Sequence, residues 1–128
     1  MQTTKKLFAL LIAGSLIMSL ACSKNTEPTY TVEYRIENAD NDLRYVKYMD
    51  ASKTLVSLSN AADFPGGSKS IRVTKPFVAE LEVYAENRSL QPGIYELIIL
   101  VDGVPKANKT LYVGILDWGL ANLQFSVE

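Results

Sequence analysis

Histidine is absent from this chain of 128 residues. That removes the commonest general base and the commonest metal ligand together. Neither a Ser-His-Asp nor a Cys-His arrangement can be assembled. Cysteine occurs once, at Cys22, so no internal disulfide can form and the core must hold without staples. A basic excess is missing too. The 13 Lys and Arg are balanced by 14 Asp and Glu, with no basic run, so nucleic acid is not an expected partner. Neither a phosphate loop nor a zinc spacing is present, and no helix start follows Gly66-Gly67. No segment after Cys22 carries helical periodicity. The chain is read as non-enzymatic, with no cofactor and no metal.

What is present begins at the N-terminus. Lys5 and Lys6 form a charged start, and Leu7–Leu20 forms a short apolar run. The small residue Ala21 then stands directly before Cys22. This order describes a secretory signal, and a cysteine at the cut describes a bacterial lipoprotein signal. Ser19 and Leu20 are swapped relative to the usual lipobox order. Two alternatives stay open: an uncleaved anchor and a plain secretory signal. The run is shorter than the roughly 20 apolar residues of a spanning helix and contains Gly14, Ser15 and Ser19. A lone thiol in an oxidising compartment is a liability, which makes its placement at the cut more telling.

The expectation is a signal peptide over residues 1–21 and a diacylglycerol on Cys22. A lipid-anchored tether over 22–29 and a domain over 30–128 complete the organisation. Ser23 is not the Asp of inner-membrane retention, so the outer membrane of the cell envelope is the favoured address. Taking Lys5 and Lys6 from the 13 basic residues leaves 11 against 14 acidic, a net charge of −3 for the processed chain.

From Tyr30 the apolar period is two. Tyr30, Val32, Tyr34 and Ile36 alternate with polar residues, as in a half-buried antiparallel strand. Leu43–Met49 has a muddled alternation that predicts contact on both faces. Thr54–Leu58 and Ser70–Val73 are short strands, and Asn60–Ser68 is a loop around Pro65-Gly66-Gly67. Phe77, Ala79, Leu81, Val83 and Ala85 face inward, with acids opposite. Ile94–Val101 is almost continuously apolar and predicts a central strand covered on both faces. Asp102-Gly103 is a type I′ turn signal, and Val104–Val113 returns beside it. With a two-residue turn, Val101 faces Val104 and Glu96 faces Lys109. Pro105 removes a donor and predicts an edge or a bulge. Ala121, Leu123, Phe125 and Val127 form the inner face of the last strand. Seven to eight short strands at this spacing predict an all-β, immunoglobulin-like antiparallel β-sandwich.

Four places invite a functional reading. Glu80 and Glu82 share one strand face, which is the ordinary arrangement of a solvated surface. Asp40-Asn41-Asp42 offers oxygens to calcium but lacks the Gly and bidentate Glu of the known calcium loop. Tyr45, Tyr48 and Tyr84 could make an aromatic platform for sugar or lipid. Gly114–Leu120 holds the only Trp, and Trp118, Ile115 and Leu116, with Tyr112 before them, are the candidate binding residues. The competing expectation is that Trp118 plugs the end of the sandwich and that Ile115 and Leu116 complete the core.

The order of landmarks resembles the soluble domain of the MmpS proteins, membrane-anchored accessory proteins of mycobacterial lipid exporters. The matching residues are Val32–Ile36, Leu43-Arg44-Tyr45, Lys75-Pro76-Phe77 with Leu81 and Val83, and Leu97–Val104. The resemblance spans most of residues 30–128. It implies an immunoglobulin-type sandwich and hints at a role beside a transporter. The family's anchoring helix and its cysteine pair near the domain's end have no counterpart here. The functional expectation is a lipid-anchored envelope protein binding a partner protein or an apolar ligand. The alternative is a carbohydrate-binding or adhesive surface lipoprotein.

Overall fold

The two-residue alternation of the sequence becomes eight strands in the computed structural model, which describes residues 27–40, 42–59 and 64–128. Cys22, the expected leader, most of the expected tether and Asn41 lie outside these residues. The strands are β1 (Thr29–Glu37), β2 (Leu43–Met49), β3 (Leu55–Leu58), β4 (Ser68–Thr74), β5 (Phe77–Glu86), β6 (Gly93–Val101), β7 (Val104–Val113) and β8 (Trp118–Val127). Two four-stranded sheets result, ordered β4-β1-β6-β7 and β3-β2-β5-β8, with every pairing antiparallel. The protein is an all-β sandwich. Immunoglobulin domains keep their first two strands in one sheet; here β1 and β2 lie in opposite sheets. β1 begins at Thr29, the residue expected to end the tether. Among the described residues no helix is long and apolar enough to cross a membrane.

The inward positions of β1 and β5 are buried as their alternation requires, from Val32, Tyr34 and Ile36 to Phe77, Ala79, Leu81, Val83 and Ala85. Tyr34 joins the layers: its ring lies 5.7 Å from that of Tyr48, and its hydroxyl donates to the Met49 carbonyl at 2.7 Å. Burial pushes its phenol pKa well above the ordinary value. Phe64, in the loop before β4, is buried against Tyr48 at 6.2 Å between ring centroids. Phe125 is only half-buried, although its alternation placed it in the core.

The muddled pattern of β2 has a specific cause. The β2–β5 register shifts between Leu43 and Tyr45, so Arg44 is an extra residue in the ladder. Leu43, Val46 and Tyr48 can then all face the core, while Tyr45 and Lys47 face out. A second bulge lies in β7. Val101 opposes Val104 and Leu100 opposes Pro105, as a two-residue turn dictates, but Ile99 opposes Ala107. Lys106 is the extra residue. The slip puts Lys109 opposite Leu97 and Thr110 opposite Glu96, so the expected Glu96–Lys109 pair does not form.

β6 is central in its sheet, but among the described residues no second layer covers its outer face. Ile94 is exposed there, Ile98 is half-buried and only Leu100 is buried. The expectation of full cover on both faces is corrected: Leu100 lies between Glu33 of β1 and Pro105 of β7, which shield it within the sheet. The outer strands of the β1 sheet carry obstacles to further pairing. Register places Lys69 of β4 opposite inward-facing Tyr34, so a cation occupies an inner-face position of an edge strand. β7 has Pro105 and its bulge.

The strand ends define two poles. Thr29 pairs with Thr74, the Lys75-Pro76 turn leads to Phe77, and Phe77 pairs with Val127. Thr31 N–H donates to the Asp102 carboxylate at 2.9 Å, which brings the β6–β7 turn to the same pole. The chain enters the domain there. The Glu86–Gly93 loop, the Gly114–Asp117 turn and Trp118 lie at the opposite pole. The nine residue steps of β8 separate the poles by about 30 Å.

Candidate functional site

At the pole away from chain entry, β7 turns into β8 through Gly114-Ile115-Leu116-Asp117. The Asp117 N–H donates to the Gly114 carbonyl at 3.2 Å, closing a β-turn. Its third residue, Leu116, has φ 54°. Type II turns place Gly or Asn at that position, because a Cβ is strained at positive φ. Leucine there costs roughly 1–2 kcal/mol of backbone strain. The turn therefore holds two aliphatic side chains outward at a conformational cost. Ile115 is 52% exposed and Leu116 69% exposed.

Trp118 is 61% exposed and opens β8 rather than lying in a loop. The expectation that it plugs the sandwich, with Ile115 and Leu116 in the core, is overturned. The reason lies in register. Trp118 opposes Glu86 and Leu120 opposes Tyr84, on the outer face of β5, while Ala121 and Leu123 take the inner positions. Gly119 is inward at the pole, where an added Cβ would lie 3.0 Å from both Leu111 and Val113. β7 and β8 approach too closely there to admit an indole. Tyr112 is also exposed, but on the outer face of the other sheet, opposite exposed Ile94. The four expected residues thus form an arc around the pole rather than one flat patch.

The platform expectation is altered too. Tyr48 is in the core. Tyr45 and Tyr84 stack on the outer face with centroids 5.4 Å apart and planes at 20°, and Trp118 continues the row 6.0 Å from Tyr84. The Lys47 ammonium lies over the Tyr45 ring at 4.8 Å. The tyrosine faces that a sugar ring would stack on are turned toward neighbouring side chains. Tyr45 donates to Glu82 at 3.3 Å and Tyr84 donates to Glu86 at 2.9 Å. Burial raises the Tyr45 pKa, with Glu82 adding to it; the bond to Glu86 raises that of Tyr84.

The carboxylates are similarly engaged. The Asn122 amide donates to Glu80 at 2.9 Å and to Glu82 at 3.5 Å, and Lys47 lies 3.8 Å from Glu82. Asp40 accepts from the Tyr95 hydroxyl at 2.7 Å and from the Asp42 N–H at 3.0 Å. Among the described residues no group of three metal-ligating side chains converges.

One residue that the sequence reading passed over organises the whole pole. Asn87 is the buried polar residue of the described domain, 2% exposed. Its Nδ2 donates to the Gln91 carbonyl at 2.6 Å and the Gly114 carbonyl at 3.1 Å, with Val113 O at 3.4 Å. Its Oδ1 accepts from the Ser89 N–H and Oγ, both at 2.9 Å. Its own N–H donates to the Asp117 carbonyl at 2.8 Å. Asp117 Oδ1 in turn accepts from the Trp118 N–H at 2.8 Å. The loop carrying Leu90, 79% exposed, and the turn carrying Ile115 and Leu116 are thereby fastened to each other. The available signal was an Asn beginning the polar segment Asn87-Arg88-Ser89, where Asn side chains commonly bond the backbone two residues on.

Between the two loops lies a shallow cleft of about 250 Å³, lined by Glu86, Asn87, Arg88, Leu116, Asp117 and Trp118. It is too small and too charged to enclose an apolar ligand. Leu116 and Trp118 border the cleft, whereas Leu90 and Ile115 project outside it. No protein-family model and no curated protein matches the chain.

Proposed function

We propose that this protein is a non-enzymatic, lipid-anchored module of the cell envelope whose working surface is the apolar pole formed by Leu90, Ile115, Leu116 and Trp118. The observation that carries the reading is Leu116. An exposed leucine at φ 54°, where Gly or Asn would be unstrained, presents an aliphatic side chain to the surroundings at a backbone cost the turn itself does not need. The bonds of Asn87 hold that side chain ready, so little ordering is required when it is covered. Cys22 carries the diacylglycerol in this reading, and the chain enters the domain at the other pole. The resemblance to the MmpS proteins adds a place beside a membrane transporter. The stacked tyrosines weigh against the glycan-binding alternative.

Intact-mass measurement of the membrane form tests the anchor, which requires a lipidated Cys22 as the first residue. A photo-crosslinking amino acid at position 116, compared with one at exposed position 106, tests the surface. Strong adducts to protein or lipid from 116 alone are expected. Equal labelling from both positions would refute the reading.

A further inference from the structure

We infer that the apolar pole enters the zwitterionic lipid surface of the membrane that holds the anchor, giving the domain a second, non-covalent attachment. This rests on the anchored-module reading above and names what covers its working surface.

Three observations favour a bilayer over a protein groove. First, the exposed apolar side chains stand on protruding loop tips at the rim of a shallow cleft. Leu90 and the Ile115-Leu116 pair occupy the tips of two adjacent loops, and Trp118 and Tyr112 stand behind them on the flanking strands. Aliphatic tips with an amphipathic aromatic collar match the depth profile of a membrane interface.

Second, the backbone that flanks the tips is paired from within, and the outermost residues Leu90, Ile115 and Leu116 leave backbone groups for the hydrated headgroup layer. Here the carbonyls of Gln91, Val113, Gly114 and Asp117 all accept internal donors. The N–H groups of Asn87, Ser89, Gln91, Asp117 and Trp118 all find internal acceptors.

Third, the charge around the pole selects the headgroup. Asp40, Asp42, Glu86 and Asp117 outnumber Arg44 and Arg88, and Glu86 is shared by the two arginines at 3.5 and 3.6 Å. An anionic surface is repelled, whereas a headgroup bearing an ammonium is accommodated.

Reach permits the same membrane. Seven residue steps from Cys22 to Thr29 extend at most about 25 Å. A domain about 30 Å between poles can tilt so that its far pole meets the surface while its entry pole stays within that reach. Tethering raises the effective concentration of the tip at its own bilayer far above that at another.

Trp118 is the only tryptophan, so its emission reports the tip alone. The full chain, taken from the membranes of expressing cells, is reconstituted into vesicles of phosphatidylcholine and phosphatidylethanolamine with brominated acyl chains. Emission should move to shorter wavelength and be quenched. Leu116→Asn suits the positive φ and keeps the fold, which a thermal melt checks. It should lower the inserted-to-free ratio about tenfold. Adding phosphatidylglycerol should weaken the quenching.

A chain that floats with the vesicles while Trp118 stays unquenched overturns the inference alone. A chain that does not float overturns the anchor as well. Quenching that appears only when a second, brominated vesicle population is added overturns the choice of membrane. Quenching strengthened by phosphatidylglycerol overturns the headgroup assignment. A crosslink from position 116 solely to protein keeps the working surface and removes the lipid.

Discussion

Replacing Asn87 by alanine should loosen the pole and lower the stability of the whole domain. The amide has two hydrogens, and its shortest contacts are to Gln91 O and Gly114 O at 2.6 and 3.1 Å. Its oxygen serves Ser89. Truncation strands these groups in a site that is 2% exposed. A buried polar group left unsatisfied costs about 1–3 kcal/mol. Ser89 and Gln91 can turn partly to water, so the sum should be about 3 kcal/mol, not the full total. At about 4–8 °C per kcal/mol for a domain near 100 residues, the melting temperature should fall by roughly 12–24 °C.

Asn87→Asp sharpens the test. It keeps the shape and the acceptor but aims a carboxylate oxygen at carbonyl oxygens. The buried acid should therefore have a raised pKa in the folded state. The folded state then binds more protons than the unfolded state, and this variant should gain stability as pH falls from neutral. The alanine variant should show no such gain. Circular dichroism melts from pH 5 to 8 read both effects, and exchange of the Trp118 amide reads the local one. An alanine variant melting within 3 °C of the parent (under about 1 kcal/mol) would refute the clamp.

Leu97→Ala, at a fully buried position on β6, should cost about 2–5 kcal/mol in denaturant titrations. A smaller loss would mean that β6 is not the heart of the core. Alkaline titration of tyrosine absorbance should leave Tyr34 and Tyr95 un-ionised when the exposed tyrosines have titrated. Burial raises both, and Asp40 adds to the effect at Tyr95. A raised folded pKa means this stabilisation is present below the ordinary phenol value and is lost as pH rises through the folded one, so ionisation should coincide with unfolding. The Asp50 carboxyl is held below its ordinary value by the hydroxyl of Ser52, with help from the Thr54 and Ser52 N–H groups. The β2–β3 turn is supported above the unfolded pKa and should loosen as acid takes pH below about 4, readable as faster exchange of the Thr54 amide.

Much of the sandwich was legible because its inner faces obey a period of two. β5 and β7 appear with the boundaries that alternation and the Asp-Gly turn suggest. Two failures are insertions of one residue. The Arg44 bulge blurred β2. The Lys106 bulge moved Lys109 away from Glu96, although Pro105 had signalled an irregularity at that end. Trp118 illustrates the remaining limit. Composition marks an apolar segment but not its face, and only pairing with β5 puts the indole outside and Gly119 within. Asn87 was illegible for a different reason: its partners include residues 26 and 27 positions away, which no local pattern announces.

The cation at the inner position of β4, together with the proline and bulge of β7, matters most when copies are close. The proposed lipid anchor would confine molecules to a plane and multiply their encounters. Sheets with clean borders would then zip together into fibres. Lys69 would have to be desolvated by any strand added beside β4, and Pro105 has no proton to offer one added beside β7. The exposed leucines and tryptophan at the far pole thus sit beside one sheet whose two borders resist growth into a continuous sheet.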